Sequence, residues 1–323
     1  MMFQKQLLEK LQSELPKGTS LNEAIATALD ISYDAAHRRT SCKSKFSLDE
    51  SVILAKYYNL SLDQLFENTE KHIIAVEKTK SIRNEEELKN YFEDSFTSLS
   101  PLLNQKNCHI LYSAKDIPLF YTLENNLLSR FKIYVWLKLL DSSMDSKDFE
   151  SFSLRVQTIA SAKALGQLYK NLNTTEIWDT TTINSTLKQI HFYNQAGLVS
   201  NTTALQLCND LKKLIITISE QVKPNNDSYF FYYNELLLMN NNVLVSTPDR
   251  QSLFVPFTIL SYYQSSDKTT CRQAEAFLKK QLQSSKLLNT AGEKEKLTFF
   301  NKIYSKINAL YQLIKATQVL DFE

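Results

Sequence analysis

Three serines, each three residues ahead of an acid or amide, punctuate the stretch from Ser20 to Phe66: Ser20 with Glu23, Ser47 with Glu50, and Ser61 with Gln64. In such a box the hydroxyl accepts from an amide of the first helical turn, and the later side chain reaches back to the cap's own N–H. Ser32, just before Tyr33, is a fourth cap without a returning acid. Behind these caps the apolar residues keep helical spacing. Leu21, Ala24, Ile25, Ala28 and Leu29 share one stripe, and Leu62, Leu65 and Phe66 begin another. Only a tight turn fits between Leu29 and Tyr33, so the pattern predicts two short helices meeting at a sharp angle, a helix-turn-helix.

The residues that carry this pattern also carry a resemblance. Glu23-Ala24-Ile25-Ala26 on the first motif helix, Leu29-Asp30-Ile31-Ser32 at the turn, and Leu48 to Leu65 as two closing helices make Ser20–Phe66 similar to the DNA-binding domain of lambda-repressor-like (XRE-type) bacterial transcriptional regulators. Members of that family often carry Gly just after the recognition helix, where this chain has Ser41-Cys42. The resemblance implies double-stranded DNA as partner and the helix opening at Tyr33 in the major groove. By the match, Tyr33, Asp34, Ala35 and Arg38 take positions that commonly touch bases, with Ala36 facing the core. Arg38 is the candidate for a bidentate contact to guanine.

The residues themselves add a local charge argument. The chain of 323 residues has a net charge of only +2, too small to announce nucleic-acid binding. Between Ala35 and Ser47, however, stand His37, Arg38, Arg39, Lys43 and Lys45 with no acid among them. Such a patch supplies phosphate attraction that the whole-chain balance hides. The alternatives are a solvated basic turn, or a head adapted to bind protein.

Hydrophobic content of 43% and charged content of 22% suit a globular chain with a sizeable core. No apolar run is long enough to span a bilayer, and the N-terminus lacks an apolar secretory core, so a cytoplasmic protein away from the membrane is expected. The four cysteines, Cys42, Cys108, Cys208 and Cys271, are dispersed and read as free thiols. The sequence holds no zinc-protease, nucleophile-elbow or phosphate-loop motif. The expectation is therefore a non-enzyme with no catalytic residues, no metal and no cofactor.

Along the chain, Phe3, Leu7, Leu8, Leu11 and Leu15 predict an opening helix, completing a five-helix head over 1–67. A polar connector follows over 68–84, with the apolar island Ile73–Val76 as a possible short strand. The remainder, 85–323, reads as a mainly α body with a small antiparallel sheet. Helices are predicted from Glu85 to Leu103, Phe120 to Leu140, Phe152 to Leu172, Ile183 to Tyr193, Ala204 to Val222, Cys271 to Leu282 and Lys294 to Lys315. Strands are predicted at His109–Tyr112, Tyr229–Met239, Val243–Val245 and Leu253–Tyr263, with a turn at Asn240–Asn242. The aromatic run Tyr229–Tyr233 and Tyr262-Tyr263 has two readings: sheet packing, or a pocket for a small-molecule or peptide effector lined by tyrosine hydroxyls. One small head reads one half-site, so a homodimer held by the body is expected. The stripe Leu297, Phe300, Ile303, Ile307, Leu310 and Ile314 is a candidate for that contact. An interaction module with a secondary DNA-binding head is the competing reading.

Overall fold

The computed structural model describes residues 2–16, 18–58, 60, 62, 74–236 and 240–319. The chain divides into two compact units, Met1–Ala75 and Val76–Glu323.

In the first unit, α1 (Met2–Glu14), α2 (Leu21–Leu29), α3 (Tyr33–Thr40) and α4 (Leu48–Tyr57) surround a small core. Leu7, Leu8 and Leu11 of α1 meet Ile25 of α2, Ala36 of α3 and Leu54 of α4. The α2 stripe is therefore buried as its spacing required. The predicted fifth helix, with Ser61, Gln64, Leu65 and Phe66, lies outside the described residues. Two of the predicted caps form. The Ser32 hydroxyl accepts from the Ala35 amide at 3.3 Å. Ser47 and Glu50 close a full box, with the Glu50 amide donating to Ser47 at 3.0 Å and the Ser47 amide donating to Glu50 at 2.9 Å. Ser20 is corrected: its backbone is extended and its carbonyl starts α2, but its hydroxyl makes no cap hydrogen bond, and Glu23 closes no box.

The second unit overturns the expected mainly α body with a small antiparallel sheet. It is α/β, built on a mixed sheet of eight described strands in the order β1-β7-β6-β5-β2-β3-β4-β8. These are β1 (Glu77–Lys78), β2 (His109–Ala114), β3 (Thr174–Trp178), β4 (Tyr229–Tyr233), β5 (Val243–Ser246), β6 (Gln251–Thr258), β7 (Ser261–Ser265) and β8 (Lys286–Leu287). The centre is parallel: β2 pairs with β3 and β3 with β4. Parallel neighbours need long crossovers, and here helices supply them. Between β2 and β3 run α6 (Leu127–Leu140) and α7 (Val156–Lys170); between β3 and β4 run α8 (Asn184–Gln195) and α9 (Asn201–Gln221).

Three local expectations fail with the sheet. Tyr229–Met239 and Val243–Val245 do not form a hairpin across Asn240–Asn242. β4 lies beside β3, while β5 pairs antiparallel with β2, and the Asn241 side chain accepts from the Asp116 amide at 2.8 Å. Residues 237–239 are outside the described set. Leu253–Tyr263 splits into the hairpin β6–β7, which turns through Leu260 in the left-handed region at φ 57°. Phe120–Leu140 is interrupted: a short 3-10 turn at Leu119–Thr122 precedes α6, which Asn126 caps through the Ser129 amide at 2.8 Å. The body also begins earlier than expected. Glu77–Lys78, placed in the connector from sequence, is an edge strand on β7.

Two cores flank the sheet. The large one joins one sheet face to α6, α8, α9 and α11 (Glu293–Val319), together with α5 (Glu85–Leu99). A smaller one packs Leu111, Leu244 and Leu253 against Cys271 and Leu278 of α10 (Lys268–Gln283). The α11 stripe is consumed inside the unit, since Phe300, Ile303, Ile307, Leu310 and Ile314 are buried in the large core while Leu297 is half exposed. That stripe is not a free dimer surface.

Candidate nucleic-acid interface

The geometry around α3 begins with the turn before it. α2 ends in Asp30, which takes the left-handed conformation at φ 52°, and the Ile31 amide returns to the Ala26 carbonyl at 3.1 Å. Asp is one of the few residues with a side chain that tolerates this region, so a turn of this shape needs no glycine. The exit is a Schellman motif. Cys42 sits at φ 58°, its amide donates to the Arg39 carbonyl at 3.0 Å, and the Lys43 amide donates to the Arg38 carbonyl at 2.8 Å. Cys42 therefore adopts the conformation that glycine would favour. Gln4 of α1 donates through Nε2 to the Arg39 and Ser44 carbonyls, both at 2.8 Å, and holds this exit from outside.

The side chains of α3 divide by partner. Ala36 is fully buried and anchors the helix. Asn22 of α2 ties down one flank: its Nδ2 donates to the Tyr33 hydroxyl at 3.2 Å and lies 3.5 Å from His37 Nδ1, and its Oδ1 accepts from Thr40 at 2.5 Å. Arg39 is held by the scaffold. Its Nε is 3.2 Å from Glu50, a second guanidinium nitrogen pairs with the other Glu50 oxygen, and Nη1 donates to the Ala35 carbonyl at 3.1 Å. That contact holds the Glu50 carboxyl below its ordinary range, against the opposing effect of burial and with help from the Ser47 amide. Asp34, Arg38, Lys43 and Lys45 are exposed, and none of the four makes an ion pair with another described residue. Ala35 is half buried.

The sequence patch therefore separates into two groups. Arg38, Lys43 and Lys45 project outward, while Arg39 links α3 to α4. Residue type and local charge do not distinguish Arg38 from Arg39; the burial of Ala36 and the pairing of Arg39 with Glu50 do. Gln4 and Asn22 were not legible as positioning residues, because their partners lie on other helices.

No family model, curated protein or solved structure matches this chain.

In the second unit one residue of the aromatic run, Tyr229, joins a cluster around a single carboxyl. Glu176, fully buried on β3, accepts at Oε1 from the hydroxyls of Tyr121 at 2.8 Å and Tyr169 at 2.7 Å, and at Oε2 from Trp178 Nε1 at 2.8 Å and Tyr229 at 3.1 Å. Burial pushes its pKa up and these donors oppose the shift. All four acceptor directions of the carboxylate are filled, so the cluster is closed. The adjoining hollow, lined by Tyr121, Tyr169 and Tyr229, has a volume of about 80 Å³, too small for a drug-sized ligand. The sequence showed Tyr229 but not Glu176, a lone acid in a short polar strand.

Among the described residues no group of three or more His, Cys, Asp and Glu is placed to hold a metal ion, and the four cysteines are free. No described helix is long and apolar enough to cross a membrane.

Proposed function

We propose that the first unit binds double-stranded DNA in a sequence-specific way and regulates transcription as an XRE-type head, with α3 in the major groove. The observation that carries this reading is the division of the basic patch: Arg38, Lys43 and Lys45 are exposed without an intramolecular ion pair beside a helix whose other face is fixed by Ala36 and Asn22. Arg38 reaches guanine O6 and N7, Asp34 accepts from a cytosine amino group, and Tyr33 and Ala35 contact thymine methyls. His37 stands beside Tyr33 on the same flank. Lys43 and Lys45 neutralise phosphates. The Ser20 hydroxyl leaves the first-turn amides of α2 open to a phosphate, the ligand that a helix N-terminus favours. Two heads reach successive major grooves at about 34–36 Å, which calls for pairing through the second unit as a homodimer.

Selection of bound sequences from random duplex DNA with the full chain tests the proposal. A symmetric site with steep salt dependence is the expected result; recovery of no sequence above background refutes it. One observation favours a protein partner instead: Ile53 and Tyr57, one turn apart on α4, are exposed at 46% and 58%. In that case the same selection yields salt-sensitive but sequence-independent binding.

A further inference from the structure

A cleft of about 480 Å³ opens in the second unit between the N-terminus of α5, the end of α6 and the segment that leads into α7. Its volume falls in the range of small-molecule sites. Leu137, Met144 and Phe152 form its apolar floor, and Glu85, Asp141 and Lys147 supply charges around it. Two further charged residues of the lining, Glu86 and Arg155, pair with each other at 3.2 Å.

The other three charges are unusual in what they do not do. Lys147 makes no ion pair or side-chain hydrogen bond with any described residue. Asp141 accepts only from the Ser143 amide, at 2.9 Å. Glu85 accepts at Oε1 from the Arg155 amide and the Thr158 hydroxyl, both at 2.8 Å, and pairs with no cation. Opposite charges thus line one cleft without meeting. Each acid is fixed by its backbone contact at the start of a helix or turn, so it cannot swing to the lysine without giving up a cap.

We propose that this cleft binds a small zwitterion with an apolar side chain, a free amino acid or a dipeptide. Its ammonium group lies at Glu85 and Asp141, its carboxylate lies at Lys147, and its side chain rests on the floor. The ligand completes the charge pairs that the chain holds apart, which is electrostatic complementarity at a site with both acids already positioned. The proposal is independent of DNA binding and is read without DNA.

The test is isothermal titration of the full chain with L-leucine, with the dipeptide Leu-Leu, and with N-acetyl-leucinamide, which has the same side chain and no charge. Saturable binding of leucine or of the dipeptide, in the micromolar to millimolar range, with none of the capped compound, is the expected result; which of the two binds identifies the source. Lys147→Met should weaken that binding about tenfold or more, and Ser143→Trp, placed at the exposed rim, should abolish it. Unchanged far-UV circular dichroism and urea midpoint in both variants show that the fold is intact. Absence of heat with both zwitterions, equal binding of the capped compound, or binding that survives either substitution overturns the proposal.

Discussion

Arg39 and Glu50 join α3 to α4, and their pairing can be measured directly. The two side chains are each 20% exposed, and two guanidinium nitrogens face two carboxylate oxygens. An exposed pair contributes about 0–1 kcal/mol, and breaking a fully buried one costs about 3–5 kcal/mol. A forked, partly buried pair belongs between them, at about 1–2 kcal/mol. Glu50→Gln is the cleanest perturbation, because glutamine can still accept from the Ser47 amide and so keeps the capping box while removing the charge. Arg39→Met removes the other partner and keeps the stem. Hydrogen exchange of the α4 amides in the full chain reports the local opening free energy, and each single variant should speed exchange about 5- to 30-fold. The coupling from the double-variant cycle should be about 1–2 kcal/mol. The folded-state pKa of Glu50 is depressed, so its contribution is complete above the unfolded value near ~4.3 and is lost as pH falls through the folded value. The difference between wild type and Glu50→Gln should therefore be full at neutral pH and vanish in acid. A coupling below about 0.3 kcal/mol at neutral pH would refute the reasoning and return Arg39 to the pool of side chains free to meet phosphate.

Further outcomes follow from the same geometry. Arg38→Ala should cost about 1–3 kcal/mol on the preferred duplex and relax one base position, as read by titration on specific and scrambled DNA; equal losses on both remove Arg38 from base readout. Lys43→Ala should weaken all duplexes alike and reduce the salt slope by about one, whereas an unchanged slope places Lys43 away from the backbone. Cys42→Gly should slow exchange of the α3 amides, since the left-handed conformation costs a non-glycine residue about 1–2 kcal/mol and glycine's unfolded-state entropy offsets only part of that; faster exchange contradicts the Schellman exit. Glu176→Leu leaves three tyrosine hydroxyls and the Trp178 N–H facing an apolar side chain and should destabilise the second unit by more than about 4 kcal/mol in urea unfolding followed by tryptophan fluorescence. The folded-state pKa of Glu176 is raised, so its favourable contribution is present below the unfolded value near ~4.3 and is lost as pH rises through the folded value; Glu176→Gln should remove that part of the pH profile.

The sequence by itself determined what is local. The helix starts at Ser32 and Ser47, the turn at Asp30, the apolar stripe of α2 and the long amphipathic α9 each depend on residues within a few positions of one another, so spacing and cap chemistry suffice to place them. A basic stretch beside a helix start was legible for the same reason. The tertiary structure decided what is non-local. Thr174–Trp178 is short and carries two threonines and a glutamate, so it offers no alternating pattern; it becomes a central strand because β2 and β4 pair with its two edges, and packing against both sheet faces buries all five residues. The pairing of β4 with β3 rather than with β5 is fixed by crossovers through helices, which no turn signal encodes. The choice between Arg38 and Arg39 belongs to the same class. They are neighbours of one type, one step of the helix apart; the resemblance favoured Arg38 for the outward face, but that Arg39 is held in depends on the placement of Glu50 on another helix. Side-chain chemistry is written in the chain, but which groups it meets depends on contacts between distant segments, and those exist only once the core has set the helices and strands against each other.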